Sequence, residues 1–299
     1  MLYRRTSSGW TAQAPAKVNL FLRVIARRPD GFHELETVMT KLDLADDLHF
    51  EPLDGDAIDL QVKLAYPRSL GAMEIPASAD NLVYKAAELL RRETGTQHGV
   101  RITLTKHVPA AAGLGGGSSD AATTLIVLNE MWQLRFSNAD LCSLAAQLGS
   151  DVPFFVANDA CALCTGRGEK MEPVPVRRCL HLVLAKPQSG LSTAAVYKGC
   201  RPEPDGPFAE EWLRKWQDGA VIHAARGLHN SLQTPAEILN ADVTRLKERF
   251  SQFPVCGHQL TGSGSAYFGI CRDARQARRL AANLRQQGIP WAVAVTTRA

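Results

Sequence analysis

The sequence lacks long apolar runs, a leader-like N-terminus and any histidine pattern typical of metal sites. No stretch approaches the roughly eighteen consecutive apolar residues that would span a bilayer. The opening MLYRRTSSGWTAQAP is basic but has no apolar core of a signal peptide. We therefore expect a soluble, cytoplasmic protein without a membrane partner. The eight histidines show neither H-x-x-x-H nor H-E-x-x-H spacing, so a structural metal is unsupported.

The cysteine pattern offers little support for a disulfide framework. Seven cysteines, an odd number, are scattered over a long chain, which favours free thiols. Cys161 and Cys164 form a single C-x-x-C without a second pair or a nearby histidine. We interpret this short apolar segment as a strand and not as a metal or redox site.

Length and charge bound the possible functions. At 299 residues and 45% hydrophobic content, the chain can bury a large core and has the size at which one domain commonly becomes two. A net charge of +4 is mildly basic. It suits an anionic small molecule and by itself does not indicate nucleic acid.

A glycine-rich segment, PAAAGLGGGSSDAA at residues 109–122, contains four glycines and two serines. VRITLT before it alternates apolar and polar residues as a strand does, and Ala121, Leu125 and Leu128 after it recur at helical spacing. Ser118 or Ser119 is the expected N-cap, with Asp120 in the first turn. Because glycine loops and helix N-termini present free N–H groups, this unit predicts an anion site.

Two known classes of phosphate-binding loop are excluded because residues that they require are missing. A Walker-type loop needs a lysine after its last glycine, and none is present. A dinucleotide fingerprint fails at Ser118, and Asp140 lies within a helix predicted over 137–149 and capped by Ser137. A glycine–serine loop that holds phosphates remains, with a plain tight turn as the structural alternative.

The rest of the chain reads as an α+β protein. PAKVNLFLRVIA and LETVMTKLDL flank the turn signal PDG and predict a β-hairpin. A strand in DAIDLQVKL precedes a helix ending at Gly95 and capped by Ser78 or Asp80. The second half predicts a strand at 181–187, helices near 209–217 and 235–249, and a closing strand, turn, strand, helix, strand order, which indicates an α+β sandwich.

Two charged residues stand out as candidates for chemistry. Asp151 follows Gly149 and precedes an apolar run, so it is either a cap or turn residue or a general base. Lys17 lies on the polar side of a strand whose other side is apolar. It either faces solvent or helps to neutralise a transferring phosphoryl group beside Asp151.

Four segments carry a family resemblance. PAKVNLFLRV, PAAAGLGGGSSDAA, LGSDVPFFV and LTGSGS occur in the order and rough spacing of the superfamily of kinases for galactose, homoserine, mevalonate and phosphomevalonate. PDGFHELETV narrows the resemblance to the family of 4-diphosphocytidyl-2-C-methyl-D-erythritol kinases. The resemblance spans nearly the whole chain.

The resemblance implies roles for individual residues. Lys17 and Asp151 match the family's catalytic lysine and base, and the glycine–serine loop would wrap the ATP phosphates. The implied ATP-binding residues are Lys106, Pro109, Ala110, Ala111, Ala112, Gly113, Leu114, Gly115, Gly116, Gly117, Ser118 and Ser119. The implied acceptor-binding residues are Asn19, Phe32, His33, Thr193 and Tyr197, with Phe32, His33 and Tyr197 around the cytosine.

The resemblance also implies a fold and a reaction. We expect a two-lobed small-molecule kinase, with a ribosomal-protein-S5-like ATP-binding lobe at 1–160 and a ferredoxin-like substrate lobe at 161–299. We expect ATP- and Mg²⁺-dependent phosphorylation of the 2-hydroxyl of a cytidine diphosphate-linked alcohol in the non-mevalonate isoprenoid (terpenoid) route, by a monomer or weak homodimer. A homoserine or mevalonate kinase and an RNA-binding protein on a related scaffold are the alternatives.

Overall fold

The computed structural model describes residues 2–66, 70, 75–217 and 221–299. Its strands in chain order are β1 (Leu2–Arg5), β2 (Trp10–Arg27), β3 (His33–Leu53), β4 (Ile58–Leu64), β5 (Gly99–Lys106), β6 (Cys161–Gly166), β7 (Lys170–Pro173), β8 (His181–Lys186), β9 (His229–Asn230), β10 (Gly257–Leu260), β11 (Tyr267–Cys271) and β12 (Trp291–Thr296). Its helices are α1 (Leu82–Thr94), α2 (Gly116–Met131), α3 (Asn138–Leu148), α4 (Val152–Val156), α5 (Thr193–Gly199), α6 (Ala209–Gln217), α7 (Val221–Arg226), α8 (Gln233–Leu239), α9 (Ala241–Ser251) and α10 (Ala274–Gln286). No helix of the described ranges is long and apolar enough to cross a membrane.

The described strands form two sheets. The larger sheet has the order β1-β2-β3-β5-β4, with β6 and β7 continuing from β3 and β9 pairing in parallel with β2. The smaller sheet is antiparallel, with the order β10-β11-β8-β12. Two sheets together with the helices between their strands confirm the α+β class predicted from the sequence.

The long hairpin of β2 and β3 confirms the predicted hairpin, with Gly31 at φ 85° in the connecting turn. Val18 and Leu20 are buried on one side of β2, as predicted, but Leu22 and Val24 belong to a different buried cluster, because a register shift between Asn19 and Phe21 reverses the alternation. Lys17 and Asn19 on the other side are also buried, being 3% and 2% exposed. The solvent-facing alternative for Lys17 is therefore wrong, because its side chain is buried.

Two helix boundaries follow the predicted capping chemistry and one does not. Ser137 and Asp140 form a reciprocal capping box at the start of α3, and Gly95 ends α1 in the left-handed conformation. The predicted cap of α1 is wrong, because Asn81 and not Ser78 or Asp80 accepts the N–H of Val83.

The single helix predicted near 235–249 is two helices. α8 ends before Asn240, whose backbone is extended (φ −146°) and whose side chain accepts the N–H of Asp242 to cap α9. Asparagine forms such local bonds readily, so one residue ends one helix and starts the next.

The predicted division of the chain into lobes 1–160 and 161–299 stays a prediction. β6 and β7 lie beyond residue 160 but pair with the larger sheet. Strand pairing therefore favours a boundary between Pro173 and His181, where the first strand of the smaller sheet begins.

The cysteines behave as the sequence predicts. All seven are free, and Cys161 and Cys164 are buried residues of β6. Burial raises the pKa of the Cys161 thiol to about 12, and burial also raises the pKa of Cys164. Thiols that stay protonated in this way are poor nucleophiles and poor metal ligands.

Candidate active site

One cavity of about 1210 Å³ contacts nearly all of the predicted site residues. It is lined by side chains or backbone of Lys17, Asn19, Phe32, His33, Lys106, residues 109–118, Asp151, Thr193 and Tyr197. Ser119, a buried residue of α2, is the one member of the predicted set that does not line it. The fold therefore gathers residues from across the chain into one site.

Lys17 and Asp151 form an ion pair in this cavity. Lys17 Nζ lies 3.4 Å from Asp151 Oδ2 and donates to Asn19 Oδ1 at 2.7 Å. Asn19 Nδ2 in turn donates to Thr37 Oγ1 at 2.8 Å, which fixes the amide. The pair joins a buried cation, 4% exposed, to a carboxylate that is 38% exposed.

Asp151 occupies the N-cap position of α4 but its side chain makes no capping hydrogen bond. The sequence left a helix cap and a general base as alternative roles for Asp151. In the structure Asp151 has the position of a cap, but its side chain does not make the capping hydrogen bond. The carboxylate is thus available to the cavity, beside a fixed positive charge. A carboxylate in this setting can accept a proton from a bound hydroxyl.

The predicted N-cap of α2 is wrong. α2 begins at Gly116, with Gly115 as the cap in the left-handed conformation (φ 69°), and no side chain caps it. Ser118 and Ser119 lie inside the helix, and its first backbone bond runs from Ser119 N to Gly115 O. The N–H groups before Ser119 in the first turn therefore have no acceptor within the helix, so they can donate to a bound anion.

The glycine–serine loop is held from both sides. Lys17 N donates to Leu114 O at 2.9 Å, and Ala266 N donates to Ala112 O at 3.0 Å. A Cβ on Gly113 would lie 2.1 Å from Thr261 O. Gly113 therefore allows close packing of two backbones.

Lys106 is held by two carboxylates beneath the loop. Its Nζ donates to Asp46 Oδ2 and, at 2.6 Å, to Asp120 Oδ2, and all three residues are buried. Burial opposes the charged lysine, but Asp120 and Asp46 outweigh it and raise the pKa of Lys106. Burial also raises the pKa of Asp120, with Asp46 adding to the effect. Lys106 lines the cavity with its charge already compensated.

Aromatic residues line another part of the cavity. The rings of His33 and Tyr197 lie 5.1 Å apart at 36°, and the Phe32 ring is 49% exposed. Burial, with the nearby Arg27 charge, lowers the pKa of His33 and so favours its neutral imidazole. Thr193, on the same helix as Tyr197, shares a hydrogen bond of 2.9 Å with Ser263.

Comparison with known proteins finds relatives over nearly the whole chain. Models of the GHMP kinase N-terminal and C-terminal domains match residues 81–159 and 213–290. The 4-diphosphocytidyl-2-C-methyl-D-erythritol kinase of Pelotomaculum thermopropionicum is 42% identical over 92% of this chain and 94% of its own length. The enzyme of that name from Shouchella clausii is 40% identical over 92% and 90%. The chain belongs to the 4-diphosphocytidyl-2-C-methyl-D-erythritol kinase family of the GHMP kinases.

Solved structures agree with this assignment. A 4-(cytidine 5'-diphospho)-2C-methyl-D-erythritol kinase matches with a TM-score of 0.77 and 36% identity, over 97% of this chain and 99% of its own. The mevalonate kinase of L. major matches with a TM-score of 0.72 at 15% identity, over 99% of each chain, which shows the shared fold alone. The predicted two-lobed kinase fold is confirmed. GHMP kinases use ATP as the phosphoryl donor, so this family member is an ATP-dependent small-molecule kinase.

Sequence reasoning missed several residues of the kinase site. Asp46 accepts the N–H groups of His107 at 2.5 Å and Val108 at 2.8 Å, so it fixes the backbone where β5 enters the loop. Asp46 lies 61 and 62 residues from these partners and carries no local motif. Thr261, within the quoted LTGSGS segment, donates to Gly113 O and Asn19 Oδ1, which no spacing rule could reveal.

Proposed function

We propose that this kinase transfers the γ-phosphoryl group of ATP to the 2-hydroxyl of 4-diphosphocytidyl-2-C-methyl-D-erythritol, a step of non-mevalonate isoprenoid synthesis. The names of its relatives support the acceptor, and the GHMP family supports the donor. The observation that carries the chemistry is the Lys17–Asp151 pair in the cavity beside the glycine–serine loop.

Asp151 acts as the base in this proposal. The acceptor hydroxyl oxygen forms a bond to the γ-phosphorus while the bond from that phosphorus to the ADP oxygen breaks. The hydroxyl proton passes to the Asp151 carboxylate. Lys17 holds that carboxylate in place, and its charge balances the negative charge that develops on the transferring group. Asn19 orients Lys17 through the 2.7 Å hydrogen bond.

The loop from Pro109 to Ser119 binds ATP in this proposal. Its unbonded N–H groups at the start of α2 and the positive end of the helix dipole favour phosphate oxygens. Ser118 lines the cavity and can donate its hydroxyl directly. Lys106 supports the loop from beneath, since its charge is shared with Asp46 and Asp120.

The residues at the start of α2 fit a Mg²⁺ ion. Ser119 Oγ and Asp120 Oδ1 are buried oxygens for which the described residues provide no hydrogen-bond partner. Oxygen ligands suit Mg²⁺, which in kinases is held by one or two protein groups together with substrate phosphates. We propose Asp120, which lines the cavity, as its ligand, and the ion would neutralise phosphate charge when bound.

Phe32, His33, Thr193 and Tyr197 bind the cytidine end of the acceptor in this proposal. A pyrimidine can stack between aromatic rings, and the neutral His33 can hydrogen-bond to its edge. Neither a homoserine nor a mevalonate acceptor would use such a group of rings. We further propose that the enzyme works in the cytoplasm as a monomer or weak homodimer, without nucleic acid as a partner.

An acceptor panel tests the proposed function. ADP release would be measured with Mg²⁺-ATP and 4-diphosphocytidyl-2-C-methyl-D-erythritol, homoserine, mevalonate or no acceptor. We expect turnover with the cytidyl substrate alone. Turnover with another acceptor would replace our substrate assignment, and an absence of turnover with all of them would contradict the proposal.

A further inference from the structure

The turn between β6 and β7, residues 166–169, lies next to two parts of the acceptor site. The guanidinium carbon of Arg167 lies 4.6 Å from the centre of the Phe32 ring, and Arg167 lines the cavity. On the other side, Gly168 packs against Ser150, the residue before the proposed base Asp151. A Cβ on Gly168 would lie 3.7 Å from the carbonyl oxygen of Ser150. The turn therefore spans from Phe32 to the residue before Asp151.

The backbone of this turn is fixed by its own contacts. The Glu169 carboxylate accepts the N–H of Arg167 at 2.6 Å. Gly166 and Gly168 have φ values of 74° and 113°, and a Cβ on Gly166 would lie 2.8 Å from the Glu169 oxygens. Arg167 thus projects from a rigid turn, which lowers the entropy cost of holding its side chain against a ligand.

Arg167 has no salt bridge to another described residue. Within the described ranges, no carboxylate lies within 4 Å of its guanidinium nitrogens. The acidic residues of the neighbouring turn, Asp30 and Glu34, both form salt bridges with Arg28, and Arg167 interacts with Asp30 only through a longer electrostatic contact. Among the described residues, Arg167 is thus a half-buried cation without a salt-bridge partner, in the wall of the cavity and over an aromatic ring.

We propose that Arg167 binds the diphosphate group of the acceptor. The proposal rests on the proposed function, in which a diphosphate covalently joins cytidine to the alcohol. That diphosphate must lie between the rings of Phe32 and Tyr197 and the reacting hydroxyl at Asp151. Arg167 occupies this interval, and its planar fork of donors matches phosphate oxygens. It would also set specificity, because an acceptor without this diphosphate leaves its charge unpaired.

Binding of acceptor fragments separates this role from a structural one. Dissociation constants for cytidine 5'-diphosphate and cytidine would be measured by calorimetry with the donor site filled by a non-hydrolysable ATP analogue. We expect the wild type to prefer the diphosphate. R167Q should weaken the binding of cytidine 5'-diphosphate by roughly 10- to 100-fold, since it removes a charge-assisted hydrogen bond. It should weaken the binding of cytidine far less. R167K should lose less affinity for the diphosphate than R167Q does. R178Q, at an exposed position, should bind both ligands as the wild type does.

The outcomes distinguish this proposal from the function on which it rests. Retention of the full diphosphate preference by R167Q, with ATP-analogue binding intact, would overturn the role of Arg167 and leave the proposed function standing. Equal losses of cytidine and its diphosphate in R167Q would also overturn it, because Arg167 would then act only through the Phe32 ring. Failure of the wild type to bind either ligand would overturn the cytidine site and this proposal together.

Discussion

Asp151 combines an exposed carboxylate with a buried cationic partner, Lys17. D151N keeps the size of the side chain but removes its ability to accept a proton. We expect kcat to fall by roughly 10²- to 10⁴-fold, the usual contribution of a general base. The KM for ATP should change little, because the loop amides bind the phosphates independently. Steady-state kinetics with an exposed control, D54N, measures both; a wild-type kcat in D151N would remove Asp151 from the mechanism.

Lys41 is a buried lysine outside the site whose titration should be visible in stability. Its Nζ donates to Ala157 O at 2.5 Å and lies 5.2 Å from the Phe154 ring centre. Burial lowers the pKa of Lys41 from 10.5 to about 8. Asp159 and Cys142 act to raise this pKa, and Arg298 lowers it further. Between these two values the unfolded chain binds the proton and the folded chain does not, so stability rises with pH.

K41M should remove this rise. From pH 7.5 to 10, the free energy of unfolding of the wild type should increase relative to K41M by roughly 2–3 kcal/mol, at about 1.4 kcal/mol per unit of pKa difference. Urea titrations at several pH values measure the difference, and K63M on the exposed face of β4 is the control. A constant difference across this range would show that Lys41 titrates normally in the folded state.

At the scale of elements, glycines at the start of α2 combine a left-handed backbone with close packing. Gly115 and Gly95 share the same φ of 69°, but only Gly115 is crowded. A Cβ on Gly115 would lie 2.8 Å from the Phe155 ring and 2.9 Å from Lys17 Cγ, whereas nothing lies within 4 Å at Gly95. The pair therefore separates backbone strain from steric contact.

We expect G95A to cost about 1–2 kcal/mol in unfolding free energy, which is the left-handed strain alone. G115A should cost about 1–3 kcal/mol more through overpacking, and it should raise the KM for ATP because the start of α2 is displaced. Chemical denaturation and ATP kinetics measure both effects. Equal losses in the two variants, with an unchanged KM, would show that Phe155 and Lys17 adjust freely.

The sequence predicted most elements because their signals are local. Alternation predicted β5, and the Ser137 cap predicted α3. The cap of α2 was mispredicted because the first turn carries two good capping serines, while the structure leaves that turn uncapped. The partners of Lys106 could not be predicted, since Asp46 reaches it only through the pairing of β3 with β5.

At the scale of the molecule, the two sheets share a buried apolar cluster. Phe21 and Val38 of the larger sheet belong to the same buried cluster as Leu182 and Phe268 of the smaller sheet. The chain also returns to the larger sheet late, because β9 pairs with β2. Separate unfolding of either sheet would expose this shared apolar surface. We therefore expect one cooperative unfolding transition for the whole chain.

Asn230 tests this coupling because it joins both sheets. It lies in β9 beside β2, and its Nδ2 donates to Leu260 O and Gly262 O, each at 2.9 Å. N230A leaves these buried acceptors and the Leu232 N–H unpaired, at a cost of roughly 2–4 kcal/mol. If the lobes unfold together, calorimetry of N230A shows one transition at a lower temperature, with equal calorimetric and van't Hoff enthalpies. Two resolved transitions would mean that each lobe is stable without the other, and that the site between them assembles from independent halves.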